Sequence, residues 1–183
     1  MKKLGLYIFL LLLSTKAGLA QEIFQTNNAR ITFFSSAPIE DIKAVSKEGI
    51  SVYDPGTGEI IFKVRMRSFE FAKELMREHF NENYIESHKY PVAIFRGIIS
   101  PVPGIDSPGD YQVIFKGELD IHGRSRPREI PGNIIIQDDQ LQLRTEFFVA
   151  NKDHEIKIPR LMFRNIAEVI KVTVHANYKR RSP

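Results

Sequence analysis

Tyr111-Gln112-Val113-Ile114-Phe115-Lys116-Gly117-Glu118-Leu119-Asp120-Ile121 sets Tyr111, Val113, Phe115, Gly117, Leu119 and Ile121 against Gln112, Lys116, Glu118 and Asp120. Successive side chains of a strand point to opposite faces, so a period of two marks a strand with one buried face. The same pattern recurs along the chain. Leu141, Leu143, Thr145, Phe147 and Val149 alternate with Gln142, Arg144 and Glu146. Ile170, Val172, Val174, Ala176 and Tyr178 alternate with Lys171, Thr173, His175 and Asn177. Ile60, Phe62, Val64 and Met66 alternate with Glu59, Lys63, Arg65 and Arg67, and Ile31, Phe33 and Ser35 share an inner face near the start.

Turn-forming residues separate these runs. Asp54-Pro55-Gly56-Thr57-Gly58 reads as a hairpin turn. Pro101-Val102-Pro103-Gly104 and Ser107-Pro108-Gly109 form a loop, and Gln137-Asp138-Asp139 is a tight connection. Eight to ten antiparallel strands with short links predict an all-β barrel or sandwich. Glu70 to Asn81 departs from the pattern. It lacks Gly and Pro, and Phe69, Ala72, Leu75, Met76 and Phe80 recur at three- and four-residue spacing. That spacing predicts an amphipathic helix of about three turns. Ser68 is its expected N-cap and Asn81-Glu82-Asn83 its end, and it would cover one end of the barrel.

Ahead of the strands, Met1-Lys2-Lys3, the apolar run Leu4 to Leu13 and the small-residue stretch Gly18-Leu19-Ala20 follow the order of a secretory signal peptide. The apolar run is about half of what a bilayer span requires. Residues 1–20 therefore read as a leader cleaved after Ala20, and 21–183 as one domain in the periplasm or secreted. No cysteine stands at the cleavage site for lipid anchoring. The whole chain has 26 Lys+Arg and 22 Asp+Glu. Loss of Lys2, Lys3 and Lys16 leaves a nearly neutral protein, which removes the argument for a nucleic-acid partner. Without cysteine there are no disulfides, no thiol chemistry and no cysteine metal site.

An eight-stranded barrel is just wide enough to be filled by side chains or to hold one small ligand. Gly117, Thr145 and Ala176 among the large inward residues, and a helix able to act as a cover, point to a cavity. A dry packed core fits the same stripes. Catalysis has little support. Asp120, His122 and Ser125 contain the residue types of a hydrolase triad, but they are sequence neighbours and no Gly-x-Ser-x-Gly elbow occurs. His122 reads instead as a residue that fixes a turn through a backbone hydrogen bond. His79, His88, His122, His154 and His175 are scattered without metal-ligand spacing, and Asp153-His154-Glu155 reads as a solvated loop.

Ser68-Phe69 through Met76, His79-Phe80-Asn81-Glu82-Asn83-Tyr84, Glu86-Ser87, Lys89-Tyr90-Pro91, Phe95 and Gly97 form one set of motifs. Gly117-Glu118-Leu119-Asp120-Ile121-His122-Gly123 with Pro127, and Ile156-Lys157-Ile158-Pro159, complete it. Together they resemble the YceI-like family over about residues 22 to 178. The resemblance implies an extended, lipocalin-like antiparallel barrel of about eight strands in the periplasm. It also implies a long apolar ligand, such as a polyisoprenoid, an isoprenoid quinone or a fatty-chain lipid, and no other cofactor. Arg124-Ser125-Arg126 departs from the family pattern, where a β-branched pair is usual, and Asp120 stands where a Thr is usual.

On this reading Phe33, Phe62, Val64, Phe95, Tyr111, Val113, Phe115, Leu143, Phe147 and Val172 form the ligand-facing wall. Phe71, Leu75, Met76, Phe80 and Tyr84 form the cover. Transient contact with a membrane, and a dimer through strand edges, remain open. The competing expectation is a filled barrel that serves as an interaction or assembly module of the envelope. N-terminal sequencing of the exported protein should begin at Gln21; a retained Met1 would contradict the leader.

Overall fold

A computed structural model describes residues 22–36, 40–137, 140–158 and 166–181. The leader, Asp138-Asp139 of the tight connection, and Pro159 lie outside the described residues. The strands are β1 (Ile23–Ser35), β2 (Ile42–Tyr53), β3 (Glu59–Arg65), β4 (Glu70–Phe71), β5 (Val92–Ser100), β6 (Gly109–Ile121), β7 (Arg124–Gln137), β8 (Gln140–Ala150) and β9 (Val169–Arg181). Their order is β1-β9-β8-β7-β6-β5-β3-β2-β4, every pairing is antiparallel, and β1 also pairs β2. That last pairing closes the eight long strands into a lipocalin-like barrel and leaves the two-residue β4 as an appendage on β2.

The alternation read from sequence is the alternation of burial. Ile60, Val64 and Met66 are buried between exposed Glu59, Ile61, Lys63, Arg65 and Arg67. The connections sort into two ends. The segments 40–41, 66–91, 122–123, 151–158 and 166–168 lie at one end, the helical end. The 54–58 turn, the 101–108 loop and the outer ends of β1 and β9 lie at the far end. At the 54–58 hairpin, Asp54 Oδ1 accepts from the Gly56 amide at 2.8 Å, and Gly58 supplies a φ of +79°.

Two sequence expectations are corrected. The helix does not span Glu70 to Asn81. Glu70 and Phe71 pair with Val45 and Ala44 as a strand, and α1 covers Glu74–His79 before continuing as a π turn over Phe80–Tyr84. Backbone bonds to β2 override helix propensity, which is a weak preference against tertiary contacts. Lys73, in extended conformation, precedes α1 without a side-chain cap. Ser68 is no N-cap; its Oγ donates to the Arg65 carbonyl at 2.6 Å and lies 2.7 Å from Ser46 Oγ. Asn81-Glu82-Asn83 lies within the π turn rather than ending the helix.

The second is the cap: Ser68 does not serve α1. The strand before Gln137 is β7, which carries Pro127 and Pro131. The ladder shows why they are tolerated. β7 pairs β6 along almost its whole length but pairs β8 only from Gly132 onward. Its Arg124–Pro131 half therefore has an unpaired side, where a missing N–H is harmless. The turn Asn151–His154 packs into the resulting seam between β7 and β8.

Candidate ligand cavity

The inward side chains do not fill the barrel evenly. Far-end residues Phe24, Tyr53, Ile99, Val113, Ile134, Ile136, Leu141, Ala176 and Tyr178 are packed and buried. Towards the helical end, a cavity of about 450 Å³ opens among the strands and α1. It lies in the size range of ordinary small-molecule sites. Phe33, Phe62, Val64, Phe71, Leu75, Met76, Phe80, Tyr84, Phe95, Phe115, Leu143, Phe147 and Val172 all line it.

Tyr111 and Val113 do not line the cavity. Val113 is buried in the packed half, and the Tyr111 hydroxyl donates to the Ser107 carbonyl at 2.8 Å. Alternation identifies the face of a residue but not its height along a long strand. Sequence reasoning also missed lining residues, among them Ile130, Ile156, Ile158 and Ile166. Ile130 sits between exposed Glu129 and Pro131 in the strand that the prolines concealed. Met66, Leu119 and Ile121 were legible as inward residues and also belong to the lining.

Four rings hold the cover. Phe80 lies 5.2 Å from Phe33, 5.9 Å from Phe69 and 5.1 Å from Phe71 between ring centroids. Phe33 in turn lies 5.3 Å from Phe69 and 5.6 Å from Phe71. Such pairs contribute about 0.5–1.5 kcal/mol each beyond area burial. They tie the end of α1 to the β1 wall and to β4. The cover is partial: Leu75 is 60% exposed while lining the cavity. Exposed Glu40 and Lys73 flank it, with Lys73 Nζ donating to both Glu40 oxygens at 2.7 and 2.8 Å. These residues mark the mouth.

Three polar groups in the wall are bonded elsewhere. Ser35 Oγ accepts from the Ala167 amide at 2.8 Å, and Asn151 Nδ2 donates to the Ala167 carbonyl at 2.9 Å. Thr145 Oγ1 donates to the Pro131 carbonyl at 2.6 Å across the seam. Tyr84 also lines the cavity, and burial pushes its phenol up from the ordinary value.

A clasp holds the segments beside the seam. His122-Gly123 forms a two-residue hairpin with φ of +55° and +67°, the mirror-image turn that suits a right-twisted pair of strands. His122 Nε2 lies 3.1 Å from Glu86 Oε2, and its Nδ1 lies 3.1 Å from the His154 carbonyl. Tyr90 packs on the imidazole at 4.3 Å. The three described non-glycine residues with positive φ, Glu86, His122 and Glu155, all belong to this clasp. Such backbone strain persists only where surrounding contacts over-determine it. His122 therefore has the turn-fixing role expected of it. Ser125 Oγ instead donates to Glu118 Oε2 at 2.9 Å, so no Asp120-His122-Ser125 relay is assembled. Among the described residues there is no group of three or more metal-ligating His, Asp or Glu side chains.

His154 corrects the expectation of a solvated loop, because it is fully buried in the seam. Its Nδ1 donates to the Arg124 carbonyl at 2.9 Å, which leaves Nε2 bare and without a hydrogen-bond partner. Burial, helped by the Arg128 charge, holds its pKa below the ordinary 6.5; the Arg124 carbonyl and Asp153 oppose that shift. The unfolded chain then takes up the proton first, so stability is full above pH 6.5 and falls as pH drops towards the folded value. His154→Asn keeps a donor for Arg124 and cannot titrate. Urea midpoints followed from neutral pH downward should decline less steeply in this variant; an unchanged slope would contradict the assignment.

Comparison with known proteins agrees with this architecture. The family model of the YceI-like domain matches residues 23–178. No curated protein sequence matches. A polyisoprenoid binding domain from Saccharophagus degradans superposes with a TM-score of 0.76 at 14% identity, covering 88% of this chain and 99% of that one. Burkholderia cenocepacia BcnA gives 0.68 at 13% identity, covering 82% and 95%. A Campylobacter jejuni YCEI protein gives 0.60 at 14% identity, covering 79% and 88%. At these identities the structures establish the shared fold, and the family match over 23–178 establishes descent: the chain belongs to the YceI-like family.

Proposed function

We propose that this is an exported binding protein that holds a long apolar chain in its barrel, as a carrier or reservoir. The observation that carries the reading is the half-hollow interior: about 450 Å³ lined mostly by aliphatic and aromatic side chains, with Ser35, Thr145 and Asn151 bonded elsewhere. The family and the polyisoprenoid-binding relative from Saccharophagus degradans support an isoprenoid, isoprenoid quinone or fatty-chain lipid. The periplasm, reached through the leader at residues 1–20, is the compartment the family suggests.

The energetics suit transfer rather than capture. Each methylene removed from water contributes about 0.8 kcal/mol. A bilayer removes the same cost, so exchange between membrane and barrel is nearly neutral in hydrophobic energy. Selectivity then rests on cavity shape and on groups at the mouth. Exposed Leu75 beside Glu40 and Lys73 would meet the donor or acceptor membrane. One observation favours a second reading, an envelope interaction module. Ile50, Val52, Ile61 and Ile98 are exposed on the outer wall, and Val52 faces Ile61 across β2 and β3.

Val172 lines the cavity and pairs with Phe33 and Phe147 on its flanking strands. Val172→Phe places a ring where the ligand would lie. Titration of delipidated protein with a fluorescent fatty-chain probe should show affinity at least tenfold weaker in this variant, with a thermal transition close to that of the unaltered protein. Equal affinity in both proteins would refute binding in the cavity.

A further inference from the structure

We infer that the cavity is blind and measures chain length, with Phe115 at its floor setting the limit. This rests on the reading of the cavity as a chain-binding site and adds a property that reading does not contain. The barrel is one continuous wall, but its bore is not continuous. Below Ile60, Phe115, Ile130 and Leu143 on the floor, the far half is solid. Tyr53, Ile99, Ile134 and Leu141 are each less than 2% exposed, and none of them lines the cavity.

The solid half is also braced by polar bonds. The Tyr178 hydroxyl donates to Ser51 Oγ at 2.7 Å, and Ser51 Oγ donates to the Ile61 carbonyl at 2.8 Å. This strut joins β9, β2 and β3 through the middle of the packing. A chain advancing past the floor would have to break buried hydrogen bonds, which costs more than each additional methylene contributes.

Phe115 occupies the floor for a local reason. Gly132 on the adjacent strand has no side chain, and a Cβ there would lie 2.7 Å from the Phe115 ring and 2.7 Å from the Arg144 carbonyl. The ring fills the space that Gly132 leaves. Phe115 is 4% exposed, so it is packed below and on its sides while one face borders the cavity.

With a floor at one end the cavity of about 450 Å³ is finite in depth, so it takes a single chain only up to a limiting length. A single chain of that length fits whole, tail towards Phe115 and polar end at Glu40 and Lys73. A longer polyprenyl chain must leave its remainder outside, in a membrane or against the exposed rim at Leu75.

The test is a displacement series. Delipidated protein is loaded with N-phenylnaphthylamine and titrated with cyclodextrin-delivered decanol, tetradecanol, octadecanol and docosanol. Affinity should rise about fourfold per added methylene while the chain is still entering. It should level off within the series, once the tail reaches Phe115. An undiminished rise through docosanol overturns the blind floor but leaves chain binding intact. Failure of every alcohol to displace the dye overturns chain binding itself. Phe115→Ala should move the plateau to longer chains, with Phe115→Leu intermediate. An unmoved plateau in a folded Phe115→Ala protein removes Phe115 as the limit, and the unaltered protein's series tests the floor if the variant does not fold.

Discussion

Closure of the backbone ladder through the β1–β2 pairing confines every inward side chain to the bore of one eight-stranded barrel. That bore is narrow, so a modest change in side-chain volume decides whether a section is solid or hollow. At the far end Tyr53, Ile134, Ile136, Leu141 and Tyr178 make it solid. Towards the helical end Thr145, Ala93 and Val172 occupy less of the cross-section, and a cavity remains. The closed sheet supplies the rigidity, and packing in the solid half compensates for the dispersion contacts that the hollow half lacks.

The same closure makes the irregular parts of the wall intelligible. A fully zipped ladder would have no tolerance for Pro127 and Pro131 in β7. These residues lie where β7 and β8 part, and the Asn151–His154 turn fills the opening. At the β5–β6 contact the opposite condition holds. Gly97 pairs with Gly117, and a Cβ on either would lie 2.2 or 2.1 Å from a facing carbonyl oxygen. The strands approach there more closely than any side chain permits. The wall is thus tight on one side and parted on the other, and the clasp around His122 and His154 lies at the parted side.

Much of this was legible in the sequence because the strand period is strict. The inward residues of β3, β6, β8 and β9, the hairpin at 54–58 and the ring-rich cover follow from alternation and turn chemistry. The family motifs pointed to the same barrel. Three things were not legible. Long-range pairing of Glu70–Phe71 with Ala44–Val45 took the first turn from the expected helix. Height along β6 separated Tyr111 and Val113 from the cavity-lining Phe115, and no local pattern encodes height. His154, in the polar run Asp153-His154-Glu155, is buried because two distant strands part beside it, which only the assembled sheet reveals.

The proposed function requires the helical half of the barrel to be an apolar chain's resting place rather than an empty defect of packing. The most direct measurement is organic-solvent extraction of the folded protein purified from its native source, followed by mass spectrometry of the extract against a cavity-blocked control. The expected result is a single-chain amphiphile in near-stoichiometric amount that is absent from the control. Protein that carries no lipid from several hosts, with its barrel intact, would contradict the proposed function.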